Sequence, residues 1–68
     1  MHIGELIKEK MRERRVTVVH LSLQLCCTRA NVYKILSKSS IDTDLLLRIS
    51  RAIDYDFFAL YSESLRQS

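Results

Sequence analysis

Two groups of side chains in this sequence could do chemistry. The first is the adjacent thiol pair Cys26-Cys27, since thiolates bind soft metals and exchange disulfides. A disulfide between neighbours closes a strained ring, there is no second cysteine pair, and His2 and His20 stand far apart. Neither a stabilising disulfide framework nor a zinc site has the ligands it needs. The pair reads as two small, reduced, mostly buried thiols, and no metal or cofactor is expected. The second group is Arg29, Ala30, Asn31, Tyr33 and Lys34, which gathers cationic donors, an amide, a phenol and a methyl group in one short stretch. That mixture suits base edges and phosphates. No nucleophile with a neighbouring base, no paired carboxylates and no phosphate loop accompanies it, so catalysis is not expected.

The charge balance points the same way. The 68 residues carry a net charge of +3, unevenly placed: residues 1–40 hold eight Lys and Arg against three Glu, and residues 41–68 hold three Arg against five acids. Lys8, Lys10, Arg12, Arg14, Arg15, Arg29, Lys34 and Lys38 make one end of the chain attractive to polyanions, although a solvated surface also carries such runs. With 47% apolar residues and low net charge the chain should fold as one small domain spanning 1–68. A domain of this size buries only about 60% of its unfolded surface, which leaves no room for a deep cleft around a small-molecule substrate. No apolar run approaches the roughly 20 residues of a membrane span, so the cytoplasm is the expected location.

With no Pro and one Gly, the helix boundaries must come from capping residues. One pattern recurs four times: Val16-Thr17 with Leu21, Cys27-Thr28 with Val32, Ile41-Asp42 with Leu46, and Tyr55-Asp56 with Leu60. Each places an apolar residue before a Thr or Asp N-cap and another four residues into the helix, the hydrophobic-staple arrangement. Helices should therefore run over about 2–14, 18–25, 29–37, 43–53 and from 57 to about 65, with no strand alternation. The first buries Ile3, Leu6, Ile7 and Met11; the second Val18, Leu21 and Leu25, with Ser22 small enough for close approach; the third Val32, Ile35 and Leu36. The fourth buries Leu45 or Leu46 with Ile49, Ala52 and Ile53. This is an all-α bundle in which only Cys26, Cys27 and Thr28 separate the second and third helices, the spacing of a helix-turn-helix over 17–37.

Residues 2 to about 62 resemble the Cro and phage-repressor class of helix-turn-helix domains, also called Xre or lambda-repressor-like. The resemblance rests on Ile3-Gly4 and Ile7, on Thr17 with Leu21-Ser22 and Leu25, on Thr28-Arg29 with Val32 and Ile35, and on Leu46 with Ile49-Ser50-Arg51-Ala52-Ile53. It implies a compact five-helix domain that reads double-stranded DNA with its third helix in the major groove. Arg29, Ala30, Tyr33 and Lys34 fall where family members touch base edges. Arg29 and Lys34 suit guanine O6 and N7, and Ala30 suits a thymine methyl. Thr17, Thr28, Asn31 and Lys38 fall at backbone or mixed contacts; for Asn31 a local bond to its own first helical turn is the competing reading, and for Tyr33 an ordinary half-exposed aromatic. Arg12, Arg14 and Arg15 could meet DNA or simply complement a helix C-terminus. His20 reads as a surface histidine.

The sequence departs from the family's pattern at three places. Cys26 stands where a turn glycine is usual, so it must accept a positive φ or a different turn. Val18 replaces a common Gln that contacts phosphate. Met11 and Leu36 replace an Arg and Glu pair, an exchange that still packs the first helix on the third.

Proteins of this architecture commonly bind as two-fold dimers, and the tail 55–68 offers a surface in Phe57, Phe58, Leu60, Tyr61 and Leu65, unless Phe58 and Leu60 are spent closing the core. The resemblance thus implies a homodimeric transcriptional regulator, a repressor acting by operator occupancy. The alternative is an antitoxin-like or anti-repressor adaptor that keeps the fold without reading DNA. Val19 and Leu23 favour it, because they lie one turn apart on the outer face of the second helix, where a second protein could cover them.

Overall fold

Each helix begins where a side chain can accept one of the free amides of its first turn. In the computed structural model, which describes residues 1–67, the helices are α1 (Ile3–Arg14), α2 (Val18–Leu25), α3 (Arg29–Leu36), α4 (Thr43–Ile53) and α5 (Phe58–Gln67), with no strand among the described residues. Thr17 Oγ1 accepts from the His20 amide at 3.0 Å, Thr28 Oγ1 from Asn31 at 3.1 Å and Asp42 Oδ1 from Leu45 at 2.8 Å. Asp56 Oδ1 accepts from both Phe58 and Ala59. The four apolar residues that precede these caps, Val16, Cys27, Ile41 and Tyr55, all pack against the core, as the staple pattern requires. A fifth cap was not legible: His2 Nδ1 accepts from the Glu5 amide at 3.1 Å, which needs that ring nitrogen to be free of a proton.

Three of the linkers are built alike. Arg15-Val16-Thr17, Cys26-Cys27-Thr28 and Asp54-Tyr55-Asp56 each consist of a left-handed residue, a half-buried apolar or thiol residue and an N-cap. The amide of the middle residue donates back to the preceding helix, Val16 to Met11 O, Cys27 to Ser22 O and Tyr55 to Ser50 O, at 2.8–3.0 Å. These are Schellman closures, so one residue serves as the apolar partner of both the helix that ends and the helix that begins.

All three left-handed positions are filled without glycine, and Cys26 takes φ 55°. The left-handed conformation costs a non-glycine residue about 1–2 kcal/mol, part of which glycine returns through the larger entropy it loses on folding. Cys26→Gly is therefore expected to stabilise the domain by about 0.5–1 kcal/mol, a rise of a few degrees in Tm. A thermal melt followed by circular dichroism checks this, and an unchanged or lower Tm would place the strain elsewhere. The Cys26 side chain is exposed, contrary to the expectation of two mostly buried thiols; only Cys27 turns toward the core. The staple explains the difference, since the position before the cap must face inward and the left-handed residue before it then faces out.

The core is one cluster: Ile3, Ile7 and Met11 of α1, Leu21 and Leu25 of α2, Val32, Ile35 and Leu36 of α3, Leu46, Ile49 and Ile53 of α4, and Phe57. Ser22 is buried among them, its hydroxyl donating to Val19 O at 2.7 Å, so α2 packs closely on both α3 and α4. Met11 and Leu36 are both in the core, and α1 packs on α3.

Phe57 corrects the sequence reading. It is fully buried and meets the Tyr55 ring edge-on at 4.9 Å, so it closes the core and is no part of a dimer surface. Because Asp56 caps the amides of Phe58 and Ala59, α5 starts at Phe58, one residue later than expected. Phe57 belongs to the turn before it and not to the helix expected to begin at 57, so it does not share a helical face with Tyr61 and Leu65. Phe58 and Leu60 are half-buried against the core, whereas Tyr61 and Leu65 are exposed. No helix among the described residues is long and apolar enough to cross a membrane.

Candidate nucleic-acid interface

The α2–α3 unit presents α3 with Val32, Ile35 and Leu36 inward and Arg29, Ala30, Asn31, Tyr33 and Lys34 exposed on the outside. Both ends of α3 are held. Thr28 caps its start, and its end is pinned by α1, whose first amides have no partners within their own helix. The Ile3 amide donates to Ser39 O at 3.1 Å and the Gly4 amide to Lys38 O at 2.9 Å. Gly4 permits this approach, because a Cβ there would sit 2.1 Å from Leu36 O and 2.7 Å from Lys38 O. The chain segment that leaves α3 thus lies directly on the backbone of α1.

The cations divide into two sets. Lys8 pairs with Glu5 at 3.4 Å, Lys10 with Glu13 at 3.1 Å and Arg66 with Glu63 at 3.5 Å. Lys10 also lies over the Tyr55 ring, and the Glu13 hydrogen bond holds its pKa above the ordinary lysine value. Arg14 donates to Asp54 O at 2.6 Å and also lies over the Tyr55 ring, 5.5 Å from its centroid, so it ties α1 to the end of α4. Arg48 donates to Leu25 O at 2.6 Å and closes the C-terminus of α2. By contrast Arg12, Arg15, Arg29, Lys34, Lys38 and Arg51 form no ion pair or side-chain hydrogen bond among the described residues.

Three of these six lie on α3 or just beyond it. From Arg14 to Ile41 the sequence contains no Asp or Glu, so nothing nearby neutralises them. The first turns of α2 and α3 contain no acidic residue, whereas those of α1 and α4 contain Glu5 and Asp44. A carboxylate there would complement the positive end of the helix and repel phosphate; its absence leaves two helix N-termini open to anions. Arg29 goes further, placing a cation at the positive end of α3, where it opposes the helix dipole by about 0.3–1 kcal/mol. Stability does not explain that placement.

Of the residues singled out from sequence, Thr17 and Thr28 use their hydroxyl oxygens as caps and keep the hydroxyl proton for another acceptor. The local bond considered for Asn31 does not form: its amide donates to Thr28, but its side chain is exposed with no partner among the described residues. Tyr33 is 62% exposed, more than a half-covered aromatic. Lys38 extends its side chain into solvent while its carbonyl holds α1. Sequence reasoning did not find the roles of Gly4 and Arg48. Compared with protein-family models, with curated proteins and with solved structures, the chain matches none.

Proposed function

We propose that this chain is a sequence-specific DNA-binding transcriptional regulator of the Cro and phage-repressor type that places α3 in the major groove and represses by occupying its operator. The observation that carries the reading is the outer face of α3. Arg29 and Lys34 stand there exposed, without counter-charges, on a helix clamped at both ends. A rigid row of donors without carboxylate partners is what direct readout requires, and Arg29, at the positive end of the helix, has no stabilising role within the domain. Arg29 and Lys34 read guanine edges, Ala30 meets a thymine methyl, and Tyr33 and Asn31 contact a base edge or the adjacent backbone. The N-termini of α2 and α3, with the Thr17 and Thr28 hydroxyls, and the Lys38 ammonium hold phosphates.

A homodimer completes the reading, with α5 as the contact. Phe58, Tyr61 and Leu65 follow the i, i+3, i+7 spacing of one helical face. Beside it runs an apolar groove lined by Ser40, Ile41, Thr43, Leu46, Phe58 and Tyr61. A two-fold axis passing near Tyr61 would set Leu65 of each copy against Phe58 of the other, a self-complementary contact. Leu60 flanks it.

Lys38→Ala separates phosphate contact from base reading. Because Lys38 would neutralise one phosphate, its removal is expected to weaken binding by a similar factor on every duplex and to lower the slope of log K against log salt by about 1 per half-site. Fluorescence anisotropy over a salt series measures both. A selective loss on one sequence, or an unchanged slope, would remove Lys38 from the phosphate contacts.

A further inference from the structure

We propose that the open cleft between α2 and α4 binds a small ligand through a doubly charged oxyanion, the phosphoryl group of a monoester. The cleft has a volume of about 220 Å³ and is lined by Gln24 of α2 and by Arg48, Arg51 and Ala52 of α4. Arg48 is fixed there by its bond to Leu25 O at 2.6 Å, which uses one of its five N–H donors. Arg51 forms no ion pair or side-chain hydrogen bond among the described residues. Like charges one turn apart on a helix repel, and no carboxylate lines the cleft to offset these two. Asp44 and Asp54 stand one turn away along the chain on either side, yet pair with neither arginine. Asp44 belongs to the first turn of α4, whose positive end it complements, and Asp54 borders a neighbouring groove that Arg51 also lines.

The donor set and the charge select the ligand. Both arginines complement helix C-termini, Arg48 that of α2 and Arg51 that of α4, but those roles leave most of their N–H groups unused. With the Gln24 amide, the cleft offers many donors and a single side-chain acceptor, the Gln24 carbonyl. A cation is repelled there, and a carboxylate balances one of the two charges. A phosphoryl group carries about −1.5 to −2 at neutral pH on three acceptor oxygens, so it balances both and accepts forked bonds from the two guanidinium groups. The remaining wall, Ala52, contributes only a methyl group and leaves space for the organic part of the ester. Gln24 lies near the end of α2, seven residues or about 10 Å along the axis from the Thr17 cap, and no residue of the cleft belongs to α3. The site is therefore separate from the surface assigned to DNA.

The test is an NMR titration of the isotopically labelled full chain, at fixed ionic strength, with inorganic phosphate, glycerol phosphate and acetate in turn. Saturable shifts at Gln24, Arg48, Arg51 and Ala52 are expected with both phosphates, and binding about tenfold or more weaker with acetate. Arg51→Gln and Gln24→Glu, both at exposed positions, should each weaken glycerol phosphate about tenfold or more with unchanged thermal melts. The proposal is overturned if no saturable binding occurs, if acetate binds as well as phosphate, or if Arg51→Gln keeps the full affinity. It is also overturned if the phosphate shifts are confined to the first turns of α2 and α3, which would make the helix N-termini the anion sites. A short DNA duplex supplies the last arm: if it shifts the cleft residues and displaces glycerol phosphate from them, the phosphate that belongs there is that of the DNA backbone and not of a free ester. None of these outcomes depends on whether α3 reads a DNA sequence.

Discussion

Gly4→Ala is expected to destabilise this domain by about 3 kcal/mol or more, although alanine is the better helix former by about 1 kcal/mol. The sign follows from the space available. Gly4 lies within α1, and an alanine Cβ would stand 2.1 Å from Leu36 O and 2.6 Å from its carbonyl carbon. Those atoms are backbone and cannot rotate aside, so α1 must move away from the chain leaving α3. That movement breaks the bonds from Ile3 to Ser39 O and from Gly4 to Lys38 O, each worth about 1 kcal/mol, and loosens Ile3 and Ile7 in the core. Total stability at this length is about 3–10 kcal/mol, so the variant should be largely unfolded at physiological temperature or show a much lower urea midpoint. A midpoint equal to or above that of the parent would mean that α1 does not rest on the α3 exit.

Arg29→Ala and Lys34→Ala are expected to act on DNA binding and leave the fold intact. Both side chains are exposed and make no internal bond among the described residues, so truncation leaves no buried group unsatisfied. Removing Arg29 also removes a cation from the wrong end of α3, and the Tm of that variant should be equal or slightly higher. Each good base contact is worth about 1–3 kcal/mol of discrimination, and a two-fold dimer loses it in both half-sites. Affinity for the preferred duplex should therefore fall by about 2–6 kcal/mol per substitution, with a much smaller fall on unrelated DNA. Anisotropy titrations on both duplexes read the difference. Equal losses on the two would reduce these residues to phosphate contacts, and no loss on either would remove α3 from the interface.

Much of the backbone was readable because its signals are local. A capping oxygen acts on an amide two or three residues away, and a staple closes over five, so Thr17, Thr28, Asp42 and Asp56 placed four helix starts to within one residue. The same locality explains the failure at Phe57, where moving the start of α5 by one residue took the ring from a helix face into the core. Cys26 was readable only as a choice between a positive φ and another turn, since the closure that selects the first depends on Cys27 reaching Ser22 O.

Features that depend on distant parts of the chain were not readable. The atoms that crowd Gly4 come from residues 36 and 38, and nothing near it in sequence announces them. Arg14 and Arg48 find backbone carbonyls 40 and 23 residues away, and because every residue has a carbonyl, no pairing pattern marks the acceptor. The outer face of α3 was legible for the opposite reason. Its residues touch little in the domain, so the helical phase alone assigns them to the surface.

The most direct test of the central claim is selection of bound duplexes from a random DNA pool by the purified protein at about 0.15 M salt, followed by sequencing. Low salt would not serve, because counterion release lets any basic domain bind DNA of every sequence. If α3 reads the major groove in a two-fold dimer, the recovered duplexes share a palindrome whose half-sites lie about 34–36 Å apart, one helical turn, and Arg29→Ala erases defined positions of it. Recovery of duplexes with no enriched motif, by a protein that is folded and dimeric, would contradict sequence-specific recognition by this face.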